Sequence, residues 1–92
     1  MRKRWVHLYG DGLVYAGPCL LHDVIVTAPT AGDTADVYDG RDATSGKKFA
    51  SVVVAANLTW QVTMPEGVPF DRGIYIDATD NDVETTVVFT PV

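Results

Sequence analysis

The stretch Gly73-Ile74-Tyr75-Ile76-Asp77-Ala78-Thr79, continued after Asp80-Asn81-Asp82 by Val83-Glu84-Thr85-Thr86-Val87-Val88-Phe89-Thr90, decides the fold class. In its first part Ile74, Ile76 and Ala78 oppose Tyr75, Asp77 and Thr79. In its second part Val83, Thr85, Val87 and Phe89 oppose Glu84, Thr86, Val88 and Thr90. Period-two alternation marks strands that lay one face on a core. Asp-Asn-Asp is turn chemistry, because these side chains bond their own backbone and tolerate left-handed dihedrals. The two strands are therefore expected to pair as a C-terminal hairpin.

The same grammar runs upstream. Leu58, Trp60, Val62 and Met64 oppose Thr59, Gln61 and Thr63, which directs Trp60 inward. Turn signals recur at Gly10-Asp11-Gly12, Gly17-Pro18, 28–33, 39–46, Asn57, 65–69 and 80–82. That spacing fits a sandwich or barrel, and no window holds a helical period. The expected fold is all-β, a single antiparallel β-sandwich, jelly-roll-like or Ig-like, of about seven to eight short strands. It spans residues 1–92 as one domain, with residues 1–4 as a flexible basic arm.

Two segments are apolar on both faces: Leu20, Leu21, Val24, Ile25 and Val26, and the run Phe49 to Ala56. A strand in a two-layer sandwich needs only one apolar face, so the second calls for a loop, a sheet or another subunit as cover. Ninety-two residues leave little chain for that purpose. The expectation is a homo-oligomer, a trimer by preference, with Leu20, Val24, Val26, Val52 and Val54 at the interface and Trp5 and Tyr9 near an N-terminal contact. Cys19 is the single cysteine, so no intrachain disulfide reinforces the small core. Oligomerisation is a common substitute for such staples.

Charge is unevenly placed. Beyond Arg2, Lys3 and Arg4 the chain carries four basic and twelve acidic residues. An acidic body repels phosphate, which argues against nucleic acid as the main partner. Trp5, His7, Tyr9, Gly10 and Asp11 interrupt what would be the apolar run of a secretory signal, and no segment approaches a membrane span. The chain reads as a protein made soluble in the cytoplasm, with no membrane partner.

Candidate sites are few. Asp77, Asp80, Asn81, Asp82 and Glu84 could offer oxygens to calcium. Their spacing departs from the EF-hand loop, and an ordinary turn accounts for them, so no metal is assigned. Asp33, Asp36, Asp39 and Asp42 read as solvated loop and edge charge, which keeps small β domains from pairing edge to edge. Arg41, Lys47 and Lys48 could instead meet an acidic partner. Cys19 and His22 lie three apart, on opposite faces of an extended strand, and cannot converge on one ion. With no nucleophile elbow and no glycine-rich loop opening a helix, neither an enzyme nor a cofactor is expected. Trp5, Tyr9, Tyr15, Tyr38, Trp60 and Tyr75 could pave a sugar platform, although packing explains most of them. A carbohydrate-binding or adhesion module, fibre- or tail-associated and calcium-stabilised, is the alternative reading.

Two stretches resemble small β proteins encoded among the virion genes of tailed bacteriophages. The first runs Gly17-Pro18-Cys19-Leu20-Leu21-His22-Asp23-Val24-Ile25-Val26, then Ala35-Asp36-Val37-Tyr38-Asp39-Gly40, then Ser45-Gly46-Lys47-Lys48. The second is Phe70-Asp71-Arg72-Gly73-Ile74-Tyr75-Ile76-Asp77, leading to Asn81-Asp82 and Thr86-Val87-Val88-Phe89. The resemblance covers most of the chain after residue 12. It implies a non-enzymatic structural role on the virion, as a capsid decoration or cement protein or a small fibre or tail component. It also implies that the partners are further copies and the major capsid protein or another virion protein, and it implies no catalytic or cofactor residues.

Overall fold

The computed structural model describes residues 2–92 and contains eight strands: β1 (Arg4–Tyr9), β2 (Gly12–Ala16), β3 (Cys19–Ala28), β4 (Asp33–Asp39), β5 (Lys47–Val54), β6 (Leu58–Phe70), β7 (Gly73–Ala78) and β8 (Glu84–Pro91). They form two four-stranded antiparallel sheets, ordered β1-β8-β3-β6 and β2-β7-β4-β5. This is the strand order of a jelly roll, so the expected all-β sandwich is the observed architecture.

Consecutive strands alternate between the sheets, and only β4 and β5 form a hairpin. The expected pairing of β7 with β8 is therefore wrong. Asp80-Asn81-Asp82 carries the chain from one sheet to the other, where Val83 is sealed in and its carbonyl accepts the Gly10 amide at 2.8 Å. Each of the two strands has one apolar face. Set in opposite sheets those faces cover each other, which side-by-side pairing within one sheet would not achieve.

Leu21, Val24, Val26, Phe70, Val87 and Phe89 from the first sheet meet Val37, Val52, Val54, Ile74 and Ile76 from the second. The inward parity read for β7 and β8 holds. Leu21 and His22 are both buried because β3 bulges between Leu21 and Asp23, and this resets the alternation. Opposite the bulge, Met64 to Gly67 of β6 have no partner on β3. Gly67 takes φ +82 there, and an added Cβ would lie 3.0 Å from both Leu20 Cβ and His22 Cε1. A segment of β6 therefore covers this part of the second apolar face of β3. Residues 65–69 are part of a long bulged strand where a turn was expected.

Arg4 belongs to β1 and pairs with Phe89, so only Arg2 and Lys3 of the described arm precede the sheet.

Candidate functional site

Four of the eight strands are edges: β1 and β6 in the first sheet, β2 and β5 in the second. The exposed large apolar side chains within strands are Trp5 and Tyr9 on β1, Leu13 on β2, Phe49 and Val53 on β5, and Leu58 and Trp60 on β6. Every one sits on an edge strand. An open edge offers unpaired backbone N–H and C=O groups, and natural proteins usually blunt it with charge, proline or a bulge. In β6 that protection is confined to Pro65, Glu66, Pro69 and the bulge, leaving Leu58 to Met64 uncharged and free of proline. In β5 it is confined to Lys47, Lys48 and a bulge at Phe49.

Trp60 shows why alternation misled. It pairs with Val26, which is fully buried, so it does lie on the inward side of its sheet. It is nevertheless 60% exposed, so the facing sheet does not enclose its indole. The expected interface residues fare differently. Val24, Val26, Val52 and Val54 are core, at 2%, 0%, 4% and 3% exposure, and have no surface to offer a subunit. Leu20 is half-buried, and of the expected set only Trp5 and Tyr9 are open. On β5 the outward position is Val53, at 73% exposure. The two lysines opening β5 were the signal in the sequence that this strand is an edge.

The outer face of the first sheet is laid out in cross-strand rows: Trp5, Val88, Asp23 and Thr63; then His7, Thr86, Ile25 and Gln61; then Tyr9, Glu84, Thr27 and Thr59. Hydrogen bonds stitch them together. His7 Nδ1 lies 2.6 Å from Thr86 Oγ1 and Nε2 lies 3.1 Å from Glu84 Oε1, while Thr27 and Thr59 hydroxyls meet at 2.9 Å. Gln61 Nε2 donates to Asp23 Oδ1 at 3.3 Å and to Thr63 Oγ1 at 3.1 Å.

The residues weighed for calcium are dispersed. Glu84 faces His7, Asp82 accepts from the Thr30 hydroxyl at 2.6 Å, and Asp77 stands on the outer face of the other sheet. Among the described residues no group of three or more His, Cys, Asp and Glu could hold a metal. Cys19 and His22 do not converge. The Cys19 thiol is core, where burial, seconded by the charge of Asp39, pushes its pKa up to about 11. His22 Nε2 bonds Thr90 Oγ1 at 2.9 Å.

Other charges serve the loops. Asp39 accepts the backbone amides of Asp71 at 3.1 Å and Arg72 at 2.9 Å, tying β4 to the turn between β6 and β7. Asp42 accepts the Ser45 amide and hydroxyl at 2.7 and 2.8 Å, and these bonds hold its carboxyl below the usual range. Asp42, Ser45 and Asp71 line an open depression of about 400 Å³ with Arg41 and Arg72. Lys47 and Lys48 line a different one beside Phe49, so Arg41, Lys47 and Lys48 do not form a single basic patch.

Asp77 shares its face with Asp36, its partner on β4. Burial, then the charge and hydrogen bonding of Asp11, then Asp36, raise its carboxyl pKa, with Lys48 opposing. A raised carboxyl pKa means the ionised form weakens the fold above that pKa. Asp77→Asn will therefore be more stable than the parent at neutral pH. The gain will shrink as the pH falls through the raised pKa and the parent sheds the same charge. Chemical unfolding of both proteins at neutral and acid pH measures this; a gain that grows on acidification contradicts it.

Comparison with known proteins gives little company. No family model matches the chain, and no curated protein matches it. A solved structure described as "Bacillus endospore appendages form a novel family of disulfide-linked pili" aligns over 99% of this chain and 87% of its own, with a TM-score of 0.43 and 14% identity.

Proposed function

We propose that this chain is a non-enzymatic structural protein that works by self-association, an accessory of a tailed-phage particle bound to the capsid as a decoration or cement protein. The observation that carries the self-association is the placement of every exposed large apolar strand residue on an edge strand. Apolar side chains left open along unpaired strand edges are surfaces that another chain can cover. The phage setting rests on the resemblance of the two sequence stretches. In that setting the partners are further copies of the chain, a trimer by preference, and the shell protein beneath them. Several modest contacts held by one oligomer dissociate far more slowly than one contact alone.

Light scattering after gel filtration tests the core of this reading. The expected mass is a multiple of the 10.0 kDa chain, stable on dilution into the micromolar range. A mass of one chain overturns it. Exposed Trp60 is the observation that favours the sugar-binding alternative, which predicts instead a monomer whose tryptophan fluorescence responds to glycans.

A further inference from the structure

We infer that copies of this chain join head to tail, the free edge of β6 in one copy pairing antiparallel and in level register with the free edge of β1 in the next. This rests on the self-association reading and names the surface that performs it.

Strand direction comes first. All neighbours in the order β1-β8-β3-β6 are antiparallel, so β1 and β6 run in opposite senses. A second copy translated sideways thus places its β1 antiparallel to β6, and the alternation continues unbroken. The other sheet has the same property. β1 lies over β2 at one side of the sandwich and β6 over β5 at the other, so the same displacement brings β5 alongside the β2 of the second copy.

Register comes second. Leu8, Thr85, Val26 and Trp60 form one cross-strand row, and Val6, Val87, Val24 and Val62 another, both on the inward side. Continued level into a second copy, these rows set Trp60 beside Leu8 and Val62 beside Val6 of that copy. Trp60 would then gain the apolar neighbour that its own second sheet does not supply. A slip of one residue turns Val6 and Leu8 to the outer face and loses both contacts.

Charge comes third. Antiparallel pairing that sets Trp5 of the second copy opposite Thr63 carries its Arg4, Lys3 and Arg2 onto the segment that follows Thr63, which holds Glu66. Glu66 is the only charged residue of β6. The basic start of the chain thus meets the single charge of β6, which is of opposite sign. Such a contact is heterologous, and it generates a closed ring if the rotation between copies closes and a fibre if it does not.

Cysteine pairing tests the register. Trp5 and Thr63 end one outer-face row, so in the level register Trp5 of one copy stands directly opposite Thr63 of the next. Directly opposed strand residues lie about 4.5–5.5 Å apart at Cα, within disulfide reach. Both positions are exposed and the native Cys19 is buried, so Trp5→Cys and Thr63→Cys should fold and report only on contact between copies. Mixed and gently oxidised, the two variants are expected to form a covalent heterodimer at twice the 10.0 kDa chain mass, in preference to either self-dimer. An oligomer by light scattering with no such heterodimer overturns this inference and leaves self-association standing. Preferential pairing of Trp5→Cys with Gln61→Cys overturns the level register. A monomer by light scattering removes both readings.

Discussion

Val52→Asp will unfold the domain, and Val53→Asp, one position along the same strand, will leave it folded. Val52 is 4% exposed and packs in the core between the sheets, whereas Val53 is 73% exposed on the outer side of an edge strand. Burying an unpaired carboxylate belongs to the short list of changes that cost more than about 4 kcal/mol. A domain of this size has a total stability of roughly 5–15 kcal/mol, and a thin core places it toward the lower end. An exposed substitution that breaks no hydrogen bond stays within about 0.5 kcal/mol. Thermal unfolding followed by circular dichroism separates the two outcomes. The expected result is a lost or strongly lowered cooperative transition for Val52→Asp and a near-parental one for Val53→Asp. A Val52→Asp protein that melts normally but has a smaller mass in solution would return Val52 to a subunit interface.

Gly73→Ala carries the other large effect. Gly73 opens β7 at φ +147, a backbone region that side chains rarely adopt. A Cβ at this position would lie 2.3 Å from the Tyr15 carbonyl oxygen, 3.2 Å from that of Gly40 and 3.3 Å from Ala16 Cα. These neighbours are backbone and are themselves held: Ala16 pairs with Gly73, and the Gly40 amide donates to the Gly73 carbonyl at 3.2 Å. Relief requires moving β2 or the loop after β4. The cost is expected at about 3–4 kcal/mol, from the strained dihedral together with the displaced ladder. At roughly 4–8 °C per kcal/mol this lowers the melting temperature by more than about 12 °C. Gly32→Ala is the matched control, since a Cβ there meets nothing nearer than 3.6 Å and φ is not positive. It should melt within a few degrees of the parent. Equal melting of the two variants would mean that the turn before β7 is more pliable than the packing implies.

The period-two segments made the sandwich legible, because alternation reports which side of a sheet a residue is on. Ile74, Ile76, Val83, Val87 and Phe89 all fall where it placed them. Alternation does not report what stands opposite that side, and there the reading failed. Trp60 points inward as expected but is left 60% exposed. Val24, Val26, Val52 and Val54 looked surplus to one core because two-sided apolar strands resemble interface strands. In the structure the bulge at His22 and the overlying Gly67 account for part of the apparent excess, and Phe49 and Val53 on the open edge account for more. The crossing at Asp80 to Asp82 was hidden for a related reason: a three-residue acidic turn can reverse a chain within one sheet or lift it to the other. Pairing between strands distant in sequence decides which, and single-strand patterns do not encode it.

The place of β8 between β1 and β3 has a kinetic consequence. His7 meets Thr86 across 79 positions of chain, and β3 finds one of its two ladders only on the same late strand. Contacts so far apart in sequence make for slow folding, because loop closure must precede the contacts that reward it. A growing polypeptide will have produced β1 and β3 long before β8 exists to join them. During that interval Val24, Ile25 and Val26 stand on an unfinished ladder, able to pair with the wrong chain. Yield of the assembled protein should therefore depend on how many unfinished chains are present at once, and slowing synthesis is the direct remedy.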